Sequence, residues 1–361
     1  NTCAILPGTD PSVADQYIVI GAHHDHAGLG DPIRGAMGFP GEVHNGADDN
    51  ASGTAAVIEL AEAYAQVPER ERELIFVAFS AEELGLLGSK AFAEQIDTDR
   101  VRMMLNFDMI GRNSEKEMEI IGDGFATGVT ELINTANETV GLKVNLAGDD
   151  YFGASDHDSF YRKDRPFLFF FTGTHEDYHQ VTDHADKLDY GQIEKVSKLG
   201  FEMLKPIVKG SATPIFIQHI SWLGIKLVPG ERNIISHVES GSRADKAGIA
   251  VGDELVAVGD RKDKSSLPAV LKGLPTGEEI SLSIQGKDSA RTVQVIRAKA
   301  GYVGIYPSAL SDEQRAELQV IDSEGVLVRG VSEDGPAAKA GLKESDIILQ
   351  IEGNSVVPMS R

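Results

Sequence analysis

Residues 17–28 read YIVIGAHHDHAG, an apolar run that ends in three histidines and one aspartate. Its first part is typical of a strand buried on both faces, and a helical pattern follows over residues 51–66. Further apolar runs occupy residues 74–80, 103–108 and 167–172, and further helical patterns occupy residues 83–95 and 190–208. This alternation predicts an α/β fold with a mostly parallel sheet covered by helices.

The composition excludes several kinds of protein. Of the 361 residues 41% are hydrophobic and 25% are charged, so two or three globular domains are expected. The formal net charge of −22, with no basic run, repels a phosphate backbone, and nucleic acid is not an expected partner. Because Cys3 is the single cysteine, any metal ion would be held by His, Asp and Glu.

Acidic and imidazole side chains collect at the ends of the predicted strands. Eight of the ten histidines lie between residues 23 and 184. The carboxyl ends of strands in an open α/β sheet converge on one crevice, so these clusters should meet there. The residues concerned are His23 to His26, Asp48, Asp49, Glu82, Glu83, Asp108 and His179. Carboxylates also cap helices, but capping does not explain the histidines. Imidazole and carboxylate without thiolate suit catalytic zinc.

Six segments resemble the M28 family of zinc aminopeptidases, in that family's order. They are IVIGAHHDHAG (18–28), NGADDNASG (45–53), FSAEELGLLGS (79–89), NFDMIGR (106–112), SDHDSF (155–160) and DYHQVTD (177–183). The resemblance spans nearly all of a predicted peptidase domain at residues 1–210. It implies a zinc exopeptidase-like α/β fold and two zinc ions per catalytic domain.

The same resemblance implies a set of ligands. It assigns His23 and Asp108 to one zinc ion, Glu83 and His179 to the other, and Asp48 to a bridge between them. Glu82 would be the general base, and a cis peptide would follow the bridging residue, at Asp48–Asp49. One carboxylate can bridge cations about 3.5–4 Å apart, and water between two zinc ions loses a proton far more easily than bulk water. The expected reaction is hydrolysis of the N-terminal peptide bond by zinc-bridged hydroxide.

Other residues are assigned supporting positions. Asp25 is expected to accept the other ring N–H of His23, and Ser155 and Asp156 are expected to support the metal centre. His157 is expected to anchor a helix start. A substrate pocket is predicted to be lined by Tyr151, Phe152, Phe160 and Tyr178. The histidines left without a role are His24, His26, His44, His175 and His184.

Beyond residue 210 the sequence repeats itself at an offset of 93 residues. GSRADKAGIAVGDELVAVGD and DGPAAKAGLKESDIILQIEGN resemble PDZ domains of the bacterial protease-associated type. Small α+β domains are therefore predicted at residues 215–299 and 300–361, the second truncated at its C-terminus. Their predicted carboxylate-binding loops contain Leu223, Gly224 and Ile225 in the first module, and Val303, Gly304 and Ile305 in the second. Such loops bind peptide C-termini, and the peptide adds to the sheet edge as a strand.

Three other functions remain open. A glutaminyl-cyclase-like acyltransferase would use one zinc ion, a carboxypeptidase-type relative would act at the other terminus, and a non-catalytic protein would use only its PDZ-like modules. Metal counting and end-blocked peptides separate the first two from an aminopeptidase.

The cellular location is predicted only indirectly. No stretch of 18 apolar residues exists, so no transmembrane segment is expected in the visible chain. The sequence starts at Asn1 without an initiator Met or a signal segment, and an incomplete N-terminus is expected. The architecture and the acidic composition favour an exported protein, either periplasmic, extracellular or anchored through a missing N-terminal segment.

Overall fold

The computed structural model describes residues 1–30, 40–146, 155–277, 279–287, 289–297, 305–310, 325–331, 336–351 and 354–355. The chain forms two compact units. The first comprises Asn1–Gly273 and Ile280–Val295, and the second comprises Leu274–Glu279 and Ile296–Arg361. The predicted peptidase domain and most of the first PDZ-like module therefore belong to one unit. The domain boundaries proposed from the sequence stay predictions.

A seven-stranded sheet forms the centre of the first unit. Its strands are β1 (Thr2–Leu6), β2 (Tyr17–His23), β3 (Glu73–Phe79), β4 (Val101–Phe107), β5 (Met118–Ile121), β6 (Val144–Leu146) and β7 (Phe167–Phe171). They lie in the order β1-β3-β2-β4-β7-β5-β6. The central strands β3, β2, β4 and β7 are parallel to one another. Strand β1 runs antiparallel to its neighbour β3, and β5 runs antiparallel to its neighbour β7. The predicted mostly parallel sheet is confirmed.

Helices cover both faces of this sheet. They are α1 (Gly53–Ala65), α2 (Leu87–Gln95), α3 (Val129–Val140), α4 (Asp158–Tyr161) and α5 (Tyr190–Val208). Ile18 and Ile20 of β2 belong to the apolar cluster formed with α1, α3 and α5, while Val19 belongs to the cluster that includes Phe92 of α2 and Phe160 of α4. Successive side chains of a strand point to opposite faces, so the uninterrupted apolar run of β2 serves two cores.

One local difference from the sequence prediction is the start of α2. The helix was predicted from residue 83, but it begins at Leu87. Ala81, Gly85 and Leu86 have φ values of 57°, 93° and 62°, which is the left-handed region and incompatible with a continuous helix. Residues 81–86 instead form a turn beyond the end of β3. This turn holds both Glu82 and Glu83 outside regular helix.

A second, antiparallel sheet has the order β13-β12-β11-β10-β9-β8. Its strands are β8 (Gln218–Ile220), β9 (Ile225–Val228), β10 (Asn233–Val238), β11 (Glu254–Val258), β12 (Glu279–Gln285) and β13 (Ala290–Ile296), accompanied by helices α6 (Arg243–Lys246) and α7 (Leu267–Gly273). This is the small α+β architecture predicted for the first module.

The second unit contains short elements of the same kind. They are β14 (Ile305–Ala309), β15 (Val326–Val331), α8 (Pro336–Lys339), β16 (Ile347–Ile348), β17 (Gln350–Ile351) and β18 (Asn354–Ser355). Strands β14, β15 and β16 form an antiparallel sheet. Among the described residues, none of the helices has both the length and the apolar character needed to cross a bilayer.

His157 lies in the core rather than holding a helix start through its side chain. The residue precedes α4 without a side-chain capping bond, and its side chain is 1% exposed. Its ring stacks against Phe169 at 4.6 Å and Phe167 at 5.1 Å between centroids. Within the described part of the chain neither ring nitrogen has a hydrogen-bond partner. Burial lowers the pKa of His157 from 6.5 to about 3.

Replacing His157 with Phe should make the protein less sensitive to acid. A histidine in the unfolded chain takes up its proton near pH 6.5, whereas folded His157 does so near pH 3. Between these values the unfolded state binds more protons, so His157 lowers the free energy of unfolding as the pH falls, by up to about 1.4 kcal/mol per pH unit. Urea denaturation at pH 7 to 4.5 should show a shallower loss of stability for His157→Phe than for the native chain. His237→Phe, at an exposed position of β10, should retain the native pH dependence, and parallel curves for all three proteins would contradict the prediction.

Candidate two-metal centre

The ends of the central strands carry a compact set of ligand-type side chains. His23 ends β2, Asp108 follows β4, and the turn after β3 carries Glu82 and Glu83. Among the described residues, two groups have donor atoms that all lie within 4.8 Å of one another. The first group is His23, Glu82 and Asp108, and the second is His26, Asp49, Glu83 and His179. The convergence predicted from the strand ends is therefore found.

The carboxylate of Asp49 joins the two groups. Its Oδ1 is 3.2 Å from His23 Nε2, and its Oδ2 is 3.0 Å from His179 Nε2. Each imidazole also faces a second carboxylate, since His23 Nε2 is 3.3 Å from Asp108 Oδ2 and His179 Nε2 is 3.4 Å from Glu83 Oε2. Although burial opposes the carboxylate form, the hydrogen bonds from His179 and His23 hold the pKa of Asp49 well below its usual range.

The prediction that Asp48 is the bridge is wrong by one residue. Asp48 Oδ1 accepts a hydrogen bond from Gly111 N at 2.7 Å, and its Oδ2 lies 3.1 Å from His175 Nε2. The cis peptide likewise lies at Asp49–Asn50 and not at Asp48–Asp49. Two adjacent aspartates are chemically alike, so only the direction of the backbone decides which one enters the centre.

Residues 46–53 set that direction. The backbone N–H groups of Asp48 and Asp49 both donate to Asp183 Oδ2, at distances of 2.9 and 3.1 Å respectively. Asn50 Nδ2 donates to Phe107 O at 2.9 Å, and Asn50 Oδ1 accepts from Gly53 N at 3.0 Å. A Cβ atom at Gly53 would lie 2.3 Å from Phe107 O, so this turn needs glycine to lie against the end of β4.

Asp25 has a different position from the one predicted. The ring atom His23 Nδ1 is 3.0 Å from the backbone oxygen of Asp25, whereas the nearest Asp25 carboxylate oxygen is 3.9 Å away. That carboxylate oxygen instead accepts a hydrogen bond from Glu82 N at 3.0 Å. Asp25 therefore orients His23 through its carbonyl and fixes the backbone of the turn that carries Glu82.

Glu82 is strongly affected by its surroundings. Burial raises its pKa to about 9, and the carboxylates of Asp108, Asp156 and Glu83 act in the same direction, while His23 opposes them. A cation bound in this group would favour the carboxylate form of Glu82 and lower its pKa, and the side chain could then accept a proton at neutral pH. Such a large pKa shift in a carboxyl group beside ligand-type side chains is typical of a functional site.

Ser155 supports the first group directly. Its Oγ donates to Asp108 Oδ2 at 2.8 Å and accepts from Asn106 Nδ2 at 2.8 Å. This is the supporting position expected for Ser155. Asp156 next to it is fully buried, and burial raises its pKa to about 7.

Two histidines without a predicted role lie in this region. His26 Nδ1 is 2.8 Å from Glu83 Oε1 and 3.7 Å from Asp49 Oδ2, so His26 belongs to the second group. His175 contacts Asp48, as described above. The sequence signal for a role of His26 was its position three residues after His23 in HHDHAG. A sequence does not show, however, whether the side chain of a loop histidine points toward the centre. His24, His44 and His184 belong to neither group of described residues.

Of the two predicted pocket residues that the structure describes, Tyr178 lies at the centre. Its ring lies 3.9 Å from that of His179, and burial followed by the nearby carboxylates raises its pKa. Phe160 is 0% exposed and packs in the core against Phe92, so its assignment to the pocket is wrong. Tyr151 and Phe152 lie outside the described residues.

The loop that carries His179 is fixed by ion pairs. Asp177 Oδ2 accepts from Arg112 at 3.0 Å, and its Oδ1 accepts from Lys187 Nζ and Thr182 Oγ1, both at 2.5 Å. These bonds lower the pKa of Asp177 well below its usual range, although burial opposes them. Arg112 follows β4 at the end of NFDMIGR, so the ion pair ties the His179 loop to the central sheet.

The two groups fit metal ions by their donor chemistry. All their donors are imidazole nitrogens or carboxylate oxygens, the set that suits catalytic zinc. Among the described residues, Asp108 Oδ1 is buried and has no hydrogen-bond partner. A buried carboxylate oxygen without a protein donor is a position that a cation can satisfy.

Part of the chain is similar to known aminopeptidases. Aminopeptidase YwaD of Bacillus subtilis is 31% identical over an alignment of 182 positions that covers 47% of this chain and 39% of YwaD. A probable leucine aminopeptidase of Arthroderma benhamiae is 27% identical over an alignment of 205 positions that covers 53% of this chain and 52% of that protein. The solved zinc aminopeptidase BSAP of Bacillus subtilis has a TM-score of 0.49 and 25% identity, covering 58% of this chain and 50% of that chain. The chain thus covers between 39% and 52% of the length of these three proteins.

Two family models match the chain. The PDZ domain model matches residues 292–361. The model described as peptidase family M28 matches residues 1–204, which are more than half of the chain and include both ligand groups. The chain belongs to peptidase family M28.

Proposed function

We propose that the protein is a zinc-dependent aminopeptidase that hydrolyses the N-terminal peptide bond of peptides. The observation that carries this proposal is the position of Asp49, whose two carboxylate oxygens face His23 of one ligand group and His179 of the other. A single carboxylate between two groups is the arrangement of two-metal hydrolases. The preference for the N-terminus is taken from the aminopeptidases to which the chain is similar.

The residues that would hold zinc divide between the two groups. They are His23 and Asp108 on one side and Glu83 and His179 on the other, with Asp49 between them. Zinc bound there supplies Lewis-acid polarisation of the scissile carbonyl and acidifies a water molecule. His26 lies within the second group through its contact with Glu83, and it orients that carboxylate.

Glu82 is the group placed to move protons. Its carboxylate belongs to the same group as His23 and Asp108, and its backbone is held by Asp25. It would accept a proton from the attacking water and deliver it to the leaving amine. The neighbouring Glu83 faces His179 and the second group, so the two glutamates serve different tasks despite being adjacent.

The other functions considered from the sequence are less well supported. Two ligand groups with Asp49 between them favour two metal ions over the single zinc of a cyclase-type enzyme. A non-catalytic role is disfavoured because Glu82 and both groups are intact.

Export from the cytoplasm is part of the proposal and rests on the net charge of −22 and on the combination of a peptidase with PDZ-type modules. Fractionation of cells that make the full-length protein would refute export if the protein stayed in the cytoplasm.

End-blocked peptides test which terminus is recognised. A peptide with a free N-terminus and an amidated C-terminus should lose its first residue, whereas its N-acetylated counterpart with a free C-terminus should be stable. Mass spectrometry of the products over time measures both. Cleavage of only the acetylated peptide would indicate a carboxypeptidase, and cleavage of neither by the zinc-loaded protein would contradict the proposed function.

Replacing Glu82 with Gln should lower kcat by about 10²- to 10⁴-fold, because the amide cannot accept the proton that the carboxylate takes. Zinc content should stay near that of the native chain, since His23, Asp108 and Asp49 remain. Steady-state kinetics and metal analysis of the same preparation check this. Glu94→Gln, at an exposed position of α2, should retain native activity. Full activity of the Glu82 variant would rule out its role as the base.

A pair of aspartate variants tests which residue bridges. Asp49→Asn should lose bound zinc, because an amide cannot provide two anionic oxygens. Asp48→Asn should retain zinc, since the remaining amide oxygen can still accept the hydrogen bond from Gly111. Zinc per chain is measured after dialysis against buffer of low zinc concentration. Loss of zinc only in the Asp48 variant would return the bridge to Asp48.

A further inference from the structure

Strand β9 of the first PDZ-like module has neighbours on both edges. One edge pairs with β10, where Ile234 faces Val228. The other edge pairs antiparallel with β8, in the register Gln218 to Leu227, His219 to Lys226 and Ile220 to Ile225. In modules of this type a peptide adds as a strand beside the carboxylate-binding loop. The edge that follows the loop at residues 222–225 is therefore already paired by the chain itself.

Strand β8 has the position of a docked peptide in three respects. It runs antiparallel to β9, it ends at the loop, and it contacts helix α7 on its other side. Ile220 is 1% exposed and Gln218 is 6% exposed, so the strand is buried rather than laid on the surface. Trp222 Nε1 donates to Leu271 O of α7 at 3.0 Å, which joins the loop to the same helix.

The N–H groups of the loop are also in use. Leu223 N and Gly224 N donate to the backbone oxygen of Ile220, at 3.0 and 2.9 Å. Backbone N–H groups of such a loop would otherwise receive a terminal carboxylate. The carbonyl of Ile220 therefore takes the position in which a ligand's terminal oxygen would be bound.

We propose that residues 216–220, Phe-Ile-Gln-His-Ile, are the built-in ligand of the first PDZ-like module and close its groove to the C-termini of other peptides. Docking of external peptides would then depend on other surfaces of the protein. The inference concerns the module alone and is independent of the proposed peptidase activity.

The segment before β8 is held by the peptidase domain. Ile217 N donates to Phe125 O at 2.6 Å, and Phe216 pairs with Ala126 in an isolated β-bridge. The rings of Phe216 and His219 stack on Phe125, with centroids 5.9 and 4.3 Å apart. A ligand tethered at such short range has an effective concentration on the order of millimolar, which a weakly binding external peptide cannot match.

The second module differs in sequence at the equivalent place. Its predicted loop at residues 302–305, of which Tyr302, Val303 and Gly304 lie outside the described residues, is preceded in the sequence by Ala298, Lys299 and Ala300, where the first loop is preceded by Gln218, His219 and Ile220. Alanine offers much less apolar surface than isoleucine for burial in a groove. The built-in ligand is therefore a feature of the first module, and the repeat does not carry its anchoring side chain.

The probe for this inference is a fluorescein-labelled peptide, Phe-Ile-Gln-His-Ile, with a free C-terminal carboxylate. Two variants displace β8 in the full chain. Ile220→Asp places a charge in the buried position, and the triple variant Gln218→Gly, His219→Ser, Ile220→Gly removes the buried side chains. Val251→Asp is the matched control, because Val251 is 64% exposed in the same module. Anisotropy measures affinity, and hydrogen–deuterium exchange of residues 225–228 shows whether the peptide occupies β9.

In the native chain and in Val251→Asp, 1 mM peptide should leave exchange of residues 225–228 unchanged. In both displaced variants, residues 225–228 should exchange faster than in the native chain, and addition of the peptide should slow this exchange again. Both variants should also bind the peptide at least tenfold more tightly than the native chain does. The amidated peptide should bind the displaced variants more weakly. Protection of β9 by the peptide in the native chain overturns the inference, as does absence of binding at β9 in the folded variants. Loss of the module's folding in both variants also overturns it, because β8 would then be a structural strand.

Discussion

The carboxylate of Asp49 between His23 and His179 is the contact on which the candidate site depends. It joins two ligand groups that come from different strand ends, and its position is set by backbone bonds to Asp183 and by Asn50 against Phe107. The centre is therefore built from the sheet outward. His23 and Asp108 lie at the ends of β2 and β4, and Asp49, Glu83 and His179 lie on loops outside the strands.

The direction of the backbone separates the roles of adjacent acidic residues. Asp48 and Asp49 differ by one position, yet one binds Gly111 within the protein and the other faces the two imidazoles. Glu82 and Glu83 are divided in the same way by a turn with left-handed residues at 81, 85 and 86. Regular helix would have pointed these neighbours in directions about 100° apart, whereas the turn directs them into two neighbouring groups of one centre.

The segment before β8 joins the first PDZ-like module to the peptidase domain. Residues 215–217 bond to residues 125–127, and the next three residues form β8 beside β9. The module and the peptidase domain thus share a continuous piece of chain without a free linker. An ion pair between Lys272 and Asp164, 2.7 Å apart, adds a second contact between them.

The sequence by itself determined the mostly parallel sheet, the family and the clusters of ligand-type residues, because buried strands and their polar ends leave strong periodic and local signals. Strands β1, β5 and β6 and helix α3 were not predicted. Only the tertiary structure decided that Asp49 lies between His23 and His179, that the carboxylate of Asp25 binds Glu82 N, that His26 turns inward and that Phe160 lies in the core. Each of these depends on the backbone direction in a turn or on contacts between distant segments. One-dimensional spacing contains neither kind of information.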